Sequence, residues 1–402
     1  MTDRERNSQS VVFIYLCIMI RRQLEALVCE KAQKFPVLAI TGPRQSGKTT
    51  LIKSCFPQYR YYNLEAPDTL AMIQSDPRTF LSGQQGLILD EVQKAPELFS
   101  YIQVIADEEK SKGKFILSGS QNFLLQERIS QTLAGRIYNA KLLPFDNQEL
   151  SENNLLSSYS KQIFTGFYPR VIADGIEPSD YYPQYIQTYV ERDVRDLLRI
   201  GNLSLFQRFI RVLAGRAGNL LNLTEIGTEL GIDHKTVRSW ISLLESSYIV
   251  FLLQPFEKNY NKRILKTPKL YFYDTGLLSN LLGIQKESQL EVHWAKGALF
   301  ENLVIANLQK QFLHNGKSIM LYYWRNQSGN ELDCIYEDNG TLNALEIKSS
   351  TTFSTDFLKG LTYFKRISGE TSLNLKLIYG GGNEWKTSDG LEILSWKSNH
   401  KS

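Results

Sequence analysis

The feature that most constrains the fold is a glycine-rich loop between an apolar run and a helix-forming stretch. Residues 35–41 are mainly apolar, and residues 42–49 are Gly-Pro-Arg-Gln-Ser-Gly-Lys-Thr. In this pattern the glycines let backbone N–H groups face phosphate oxygens. The helix expected from Lys48 would point its partly positive N-terminus at the same anion. The order of strand, loop and helix predicts a phosphate-binding loop rather than a surface Gly-Lys turn.

Every residue of this loop is a candidate for binding a nucleotide. The candidates are Gly42, Pro43, Arg44, Gln45, Ser46, Gly47, Lys48, Thr49 and Thr50. The Lys48 ammonium group can reach the β- and γ-phosphates, and the Thr49 hydroxyl can ligate Mg²⁺. We therefore predict ATP and Mg²⁺ as cofactors and expect Lys48 to contribute to catalysis.

A later strand-like segment ends in two acids. Residues 87–90 are Leu-Ile-Leu-Asp, and Glu91 follows directly. At the end of a buried strand Asp90 can hold Mg²⁺ through water. Glu91 can then orient or deprotonate the attacking water. The alternative is a strand that ends in a solvated acidic turn, but the position after the glycine-rich loop favours the catalytic interpretation.

Hydroxyl groups follow the next apolar run, residues 115–117. Ser118 or Ser120 can contact the γ-phosphate or the water as a sensor, although a serine here can also cap the helix that follows. Further along, Arg136 can stabilise transition-state charge in its own site or in that of a neighbouring subunit. A plain surface arginine is the alternative.

Composition limits the class of protein. The 402 residues are 42% hydrophobic and 22% charged, which is typical of a soluble globular chain with two or three domains. The net charge of +4 permits a nucleic-acid partner without arguing for one. The four cysteines lack metal-ligand spacing, which favours reduced thiols and a cytoplasmic location. The apolar run at residues 11–20 is too short to cross a membrane, so we expect no membrane partner.

The segment 223–240 predicts a helix-turn-helix. Thr224 and Asp233 are typical N-cap residues, and Gly231 would make the turn. Residues 248–256 would then form a wing strand. Together these elements predict a winged-helix module.

Four side chains would face outward from the second of these helices, where they could enter a nucleic-acid groove. They are His234, Lys235, Arg238 and Ser239. A lid or a protein-contact surface is the alternative. The charged segment 191–196 is interpreted as a helix face with internal ion pairs.

Residues near the C-terminus could form a second site. Glu301 lies on an expected helix and Asp333 near the start of a strand. Glu346 and Lys348 alternate on the next strand, so both would face the same side. Such carboxylates can bind a second divalent metal, while the lysine stabilises a pentavalent phosphate or positions water. A salt-bridged strand face is the alternative.

These motifs together resemble those of the bacterial and archaeal AAA-type ATPases that carry a C-terminal domain of unknown function. The segments concerned are Gly-Pro-Arg-Gln-Ser-Gly-Lys-Thr-Thr at 42–50, Leu-Asp-Glu-Val-Gln at 89–93, Ser-Gly-Ser-Gln at 118–121 and Leu-Ala-Gly-Arg at 133–136. The resemblance extends from Met19 to the end of the chain. The family commonly has Thr-Gly-Ser where this chain has Ser118 and the two residues after it, which keeps a hydroxyl group.

The resemblance implies a three-part α/β architecture. A P-loop NTPase parallel sheet of the AAA+ type would be followed by an all-α winged-helix module. An α/β restriction-endonuclease-like domain of the PD-(D/E)XK group would follow, with Glu301 as its helix acid.

We therefore predict an ATPase that acts as a nucleotide-driven switch. The alternatives are an ATP-regulated metal-dependent nuclease and a non-hydrolysing module that recognises DNA or a protein; a homo-oligomer is compatible with each. The predicted parts are an extension at 1–18 upstream of a start at Met19, a P-loop core at 19–145, a helical connection at 146–200, a winged helix at 201–290 and a nuclease-like domain at 291–402.

Overall fold

The computed structural model describes most of the chain. The described residues are 20–120, 132–190, 203–257, 267–326 and 328–398. The extension at residues 1–18, the start at Met19 and the charged segment 191–196 lie outside the described residues. The interpretations of these segments therefore stay predictions.

A five-stranded parallel sheet lies in the first part of the described chain. Its strands are β1 (Val37–Thr41), β2 (Arg60–Asn63), β3 (Leu87–Asp90), β4 (Phe115–Gly119) and β5 (Ile137–Lys141), in the spatial order β2-β3-β4-β1-β5. Every pairing is parallel, as the alternation of strands and helices predicts. The carboxyl ends of β1, β3 and β4 therefore meet at one edge of the sheet. The glycine-rich loop and the two acids both lie at that edge.

Helices cover both faces of this sheet. They are α1 (Leu24–Ala32), α2 (Lys48–Cys55), α3 (Pro67–Ser75), α4 (Pro77–Ser82) and α5 (Leu98–Glu109). In β1, Leu38 and Ile40 pack with α1 and α2, whereas Val37 and Ala39 pack with α5. Because β1 is buried on both faces, its sequence is a continuous apolar run rather than an alternating one.

Further helices link this layer to the rest of the chain. They are α6 (Asn147–Glu152), α7 (Tyr159–Thr165), α8 (Pro169–Ile172), α9 (Pro178–Tyr185), α10 (Leu203–Ala214), α11 (Leu223–Leu230) and α12 (His234–Ser246). A π-helical turn covers Ile186–Val190, and 3₁₀ helices cover Val92–Lys94, Glu287–Glu291 and Thr355–Leu358. No described helix combines the length and the apolar character needed to cross a membrane.

Helices α11 and α12 form the predicted helix-turn-helix. Asp233 caps α12, and Gly231 has the left-handed φ of 69° that the turn requires. The prediction that Thr224 caps α11 is wrong. Asn222 is the cap, because its side chain accepts hydrogen bonds from the N–H groups of Thr224 and Glu225.

An eight-stranded sheet occupies the later part of the described chain. Its strands are β6 (Val250–Pro255), β7 (Lys269–Phe272), β8 (Tyr322–Arg325), β9 (Glu331–Asp338), β10 (Thr341–Lys348), β11 (Leu373–Tyr379), β12 (Trp385–Lys386) and β13 (Glu392–Ser395), in the order β12-β13-β11-β10-β9-β8-β6-β7. The accompanying helices are α13 (Thr275–Leu281), α14 (Lys296–His314) and α15 (Lys359–Ser368).

This sheet contains strands from both sides of residue 290, where the sequence predicts a boundary. Strand β6 pairs in parallel with β8 through Gln254 and Pro255. One hydrophobic cluster likewise extends from Ile20 to Trp396. The later helices and strands thus share a core, and the five-part division of the chain stays a prediction.

Candidate nucleotide-binding site

The glycine-rich loop follows β1, and glycine is required at both ends of it. A Cβ atom on Gly42 would lie 2.0 Å from the carbonyl oxygen of Leu142, which is far inside contact distance. Gly47 has a left-handed φ of 94° at the start of α2. The backbone of β5 and its continuation therefore closes against the loop so tightly that a side chain cannot enter.

The Lys48 side chain is buried against the preceding residues of the loop. Its Nζ donates to the carbonyl oxygens of Gly42 and Pro43, at 3.1 and 2.8 Å. The ammonium group is thereby held at the loop. Among the described residues, Ser46 Oγ is buried without a hydrogen-bond partner. The Lys48 ammonium group and the Ser46 hydroxyl are therefore suited to bind an anionic ligand such as a phosphate.

Asp90 ends β3 and accepts several hydrogen bonds. Thr49 Oγ1 donates to its Oδ2 at 2.8 Å, and the Tyr61 hydroxyl donates to the same oxygen at 2.7 Å. Ser118 Oγ contacts the other carboxylate oxygen. The fold thus brings together the two residues predicted to support Mg²⁺, although they lie 41 residues apart.

Glu91 faces the same space from the residue after β3. Its backbone is left-handed, with φ of 55°, so the chain turns sharply at this point. Ser120 Oγ donates to Glu91 Oε2 at 3.0 Å, and Gln93 Nε2 contacts the same oxygen. The two predicted sensor hydroxyls therefore each hold one of the acids, Ser118 holding Asp90 and Ser120 holding Glu91.

A cavity of about 800 Å³ opens beside the glycine-rich loop and Glu91. The loop, Thr49, Thr50 and Glu91 line one side of it. The lining also includes residues 20–22, which precede α1, and residues 169, 170, 173 and 174, which lie in α8 or directly after it. Its size falls within the range of small-molecule sites, 300–1,000 Å³ as a rough guide. The sequence marks the loop, Thr49, Thr50 and Glu91 as candidates, but it does not mark Tyr61 or the lining residues from before α1 and around α8.

Arg136 does not lie in this cavity. It directly precedes β5, whose residues pair in parallel with β1, so it lies at the opposite edge of the sheet. Five residues of strand, or about 16 Å, separate that edge from the loop. Arg136 instead forms a bidentate ion pair with Asp107 near the end of α5. The prediction that Arg136 acts in its own nucleotide site is therefore wrong, whereas a role in a neighbouring subunit stays a prediction.

The four residues of the predicted second site lie together on α14, β9 and β10. The β9–β10 register pairs Cys334 with Leu345, so Asp333 comes opposite Glu346. The N–H of Ile347 donates to Asp333 Oδ2 at 2.7 Å. Lys348 Nζ lies 2.5 Å from Glu346 Oε1, which is the ion pair that the alternative interpretation anticipates.

The sequence did not reveal three further members of this charged cluster. Lys269 on β7 lies 3.5 Å from Glu301 Oε1 and contacts Glu331. The Tyr271 hydroxyl donates to the same oxygen of Glu301 at 2.5 Å. Lys269 and Tyr271 lie on β7, which precedes α14 in the chain, and no sequence motif marks them.

Burial and mutual repulsion change the acidity of this cluster. Burial, and then the nearby Asp333, raises the pKa of Glu301 to about 7 and that of Glu346 to about 7. Burial also raises the pKa of Asp333. Burial alone would lower the pKa of Lys269, but Glu301 and Glu331 outweigh it and raise that pKa. Ionisation of these buried carboxyl groups therefore lowers the free energy of unfolding.

The outward side chains predicted on α12 are all exposed. They are His234, Lys235, Arg238 and Ser239. The opposite face of α12 is buried through Val237, Trp240, Ile241 and Leu244. The helix thus presents two positive charges and two further polar groups to solvent.

Three family models together match most of the chain. A model described as an AAA domain matches residues 34–151. Models described as domains of unknown function, DUF8612 and DUF4143, match residues 156–288 and 296–398.

The uncharacterized protein Rv2008c of Mycobacterium tuberculosis is 33% identical over 343 residues, which cover 84% of this chain and 76% of that protein. The uncharacterized protein Mb2031c of Mycobacterium bovis gives the same values. The solved structure of the Walker-type ATPase PABY2304 of Pyrococcus abyssi is 15% identical, with a TM-score of 0.44, and the match covers 64% of this chain and 94% of that one. The chain belongs to the AAA-type P-loop ATPase family in which the AAA domain is followed by a C-terminal domain of unknown function.

Proposed function

We propose that this protein is a Mg²⁺-dependent ATPase whose nucleotide state controls its later domains. The observation that carries the proposal is that Thr49 and Glu91 line one cavity, while Asp90 lies directly behind Thr49. Thr49 Oγ1 donates to Asp90, while Glu91 is held separately by Ser120 and lines the cavity. A magnesium-supporting pair beside an independently oriented carboxylate is the arrangement that nucleotide hydrolysis requires.

Each residue has a distinct part in this proposal. The loop N–H groups and Lys48 bind the phosphates, and Thr49 and Asp90 would hold Mg²⁺, which neutralises phosphate charge when bound. Glu91 orients the attacking water and takes its proton. Ser120 fixes the direction of the Glu91 carboxylate through its 3.0 Å hydrogen bond.

The test is Glu91→Gln, which keeps the shape of the side chain and removes its basicity. Phosphate release should fall by roughly 10²–10⁴-fold, the usual range for a general base. ATP affinity, measured with a fluorescent analogue, should change by less than threefold. Glu97→Gln changes an exposed carboxylate of the same domain and should leave both values unchanged. If wild type binds ATP without releasing phosphate, the alternative of a non-hydrolysing recognition module gains instead.

The control of later domains by nucleotide is supported by a direct contact with the helix-turn-helix region. Tyr248, which follows α12, donates from its hydroxyl to Thr41 Oγ1 at 3.0 Å. Thr41 is the last residue of β1 and immediately precedes the loop. A change in the loop on nucleotide binding therefore has a short path to the proposed winged helix.

A metal-dependent nuclease is the second candidate, with Glu301, Asp333, Glu346 and Lys348 as its site. Glu346 Oε2 is buried without a hydrogen-bond partner among the described residues. An unused carboxylate oxygen beside further carboxylates fits a divalent cation. Cleavage of DNA with Mg²⁺ or Mn²⁺ that is lost in Lys348→Ala would favour this function. Intact DNA with both proteins would count against it.

DNA recognition by α12 is a further proposal, supported by the exposed Lys235 and Arg238. Contacts with the phosphate backbone release counterions, so affinity should fall steeply with salt. Replacing both side chains with alanine should weaken DNA binding and flatten that salt dependence. A salt-independent affinity would instead favour a protein-contact surface.

A further inference from the structure

A cluster of ionisable side chains is buried between the nucleotide cavity and the C-terminal end of α14. Its members are Arg22, Asp146, Glu149, Lys310 and His314. Arg22 is 7% exposed, and the other four side chains are fully buried. Buried charges are costly unless each one is paired, so their partners are informative.

Arg22 connects this cluster to the phosphate loop. Its Nη1 donates to the carbonyl oxygen of Ser46 at 2.8 Å, and its Nη2 donates to that of Leu143 at 2.6 Å. Its Nε donates to Glu149 Oε1 at 2.9 Å. Arg22 also lines the nucleotide cavity. One guanidinium group therefore contacts the loop, the end of the first sheet and the cluster at the same time.

Asp146 and Glu149 form a reciprocal cap at the start of α6. The N–H of Glu149 donates to Asp146 Oδ1 at 3.0 Å, and the N–H of Asp146 donates to Glu149 Oε2 at 3.2 Å. This cap fixes the two carboxylates relative to each other. A displacement of one therefore moves the other.

His314 completes the connection from the C-terminal end of α14. The N–H of Leu143 donates to its Nε2 at 3.2 Å, so Nε2 acts as the acceptor. The proton must then lie on Nδ1, which donates to Asp146 Oδ2 at 2.7 Å. Lys310, one turn earlier, donates to the carbonyl oxygen of Phe145 at 2.7 Å. Two side chains of α14 thus hold the segment that follows β5.

A metal ion is the other explanation for this donor set. Ligand atoms of Asp146, Glu149 and His314 lie within 4.8 Å of one another. However, both oxygens of each carboxylate already accept hydrogen bonds, and the ring nitrogen facing them carries a proton. The Arg22 guanidinium supplies positive charge as well. The arrangement is complete without a metal.

Helix α14 also carries Glu301 of the second charged cluster. Glu301 and His314 are 13 residues apart, or about 20 Å along a helix. The helix is buried along most of its length, which favours movement as a rigid unit. A displacement of α14 at His314 would therefore displace Glu301 as well.

We propose that Arg22, Glu149, Asp146 and His314 are positioning residues that link the phosphate loop to α14, so that nucleotide occupancy sets the position of Glu301. The inference rests on the proposed nucleotide switch and names the path by which it works. Ligand binding against Arg22 shifts the guanidinium, which moves the capped carboxylate pair and, through His314, the helix.

The experiment measures hydrogen exchange in residues 296–304 of α14, remote from the cavity, with and without ADP or a non-hydrolysable ATP analogue. In the wild type, nucleotide should change the exchange rate of this segment severalfold. His314→Gln should abolish the change while altering nucleotide affinity by less than tenfold. Glu97→Gln is the control, because it changes an exposed side chain that has no part in the cluster and should retain the full response.

Arg22→Lys is the second variant and keeps a positive charge beside Glu149. Lysine cannot donate to Ser46, Leu143 and Glu149 at once, so the nucleotide response of α14 should again be lost. If His314→Gln melts well below the wild type, its lost response could reflect unfolding, and Arg22→Lys then provides the test of the link. Because exchange is read without turnover, a failed hydrolysis test leaves this result valid.

Two results would overturn the proposal. One is a wild-type protein that binds nucleotide and hydrolyses it without any change in α14 exchange, which would leave the proposed ATPase intact. The other is a stoichiometric metal in the purified protein that is lost in His314→Gln. We expect metal analysis to find less than stoichiometric zinc in both proteins.

Discussion

Lys269 is the residue whose removal should reveal most about the second charged cluster. Its side chain is 6% exposed and lies between Glu301 and Glu331. Four carboxylates, those of Glu301, Glu331, Asp333 and Glu346, face two ammonium groups in this region. Lys269→Met keeps most of the aliphatic stem and removes the charge, so that Glu301 loses its ion-pair partner.

The magnitude follows from the burial of the pair. Removing one partner of a buried ion pair costs about 3–5 kcal/mol, because the other charge stays buried. We expect this loss of unfolding free energy at pH 8. At pH 5.5 the carboxyls with a pKa of about 7 are protonated, so the repulsion is relieved and the loss should fall to about 1 kcal/mol. At pH 8, where the carboxylates are ionised, Mg²⁺ should stabilise the variant more than the wild type.

The assay is thermal unfolding at both pH values, with a chelator or with Mg²⁺. At a Mg²⁺ concentration 100 times its dissociation constant, stabilisation reaches about 2.7 kcal/mol. Lys359→Met is the control, because it removes the same charge from a side chain that is 78% exposed. Equal destabilisation at pH 5.5 and pH 8, without extra stabilisation by Mg²⁺, would refute the electrostatic reasoning and leave Lys269 as a packing residue.

Two other substitutions test single features of the fold. Burial raises the pKa of Glu245 to about 7, so the folded state binds the extra proton and stability falls as pH rises from about 4.5 to 7. Glu245→Gln should therefore melt like the wild type at pH 5 but gain about 2 kcal/mol at pH 8, whereas exposed Glu291→Gln should gain nothing. Gly42→Ala should abolish the stabilisation of the protein by ATP, because its Cβ would overlap the backbone, whereas Gly297→Ala meets open space and should bind ATP normally. A pH-independent gain in the first case, or normal ATP binding by Gly42→Ala, would contradict these explanations.

The first sheet could be predicted because its signals are local. Helix α2 begins at Lys48 and β3 ends at Asp90, as the sequence predicts, since a glycine turn and an acidic pair mark these ends. Arg136 could have been positioned too. The alternating residues of β5 begin directly after it, and the start of a parallel strand lies opposite the edge that binds phosphate.

The rest could not be predicted because it depends on contacts between distant segments. Arg22 and Glu149 are 127 residues apart, and no local pattern distinguishes Arg22 from a surface arginine. Lys269 and Tyr271 reach Glu301 only because β7 packs beside α14. Strands β6 and β8 are also far apart in the chain, and no turn motif connects them, so their pairing could not be predicted.

The energetics of two contacts with the phosphate loop and the residue before it are sufficient for the proposed switch. Tyr248 holds Thr41 before the loop, and Arg22 holds the Ser46 carbonyl within it. A neutral hydrogen bond contributes about 0.5–1.5 kcal/mol and one from a charged group about 1.5–3 kcal/mol. Coupling between sites is typically about 1–3 kcal/mol, so the loss or formation of these two contacts suffices. A nucleotide can change the strength of these contacts by moving the loop or by binding against Arg22, which lines the cavity. Coupling should therefore disappear in any variant that binds nucleotide without a shift of the loop backbone or of Arg22.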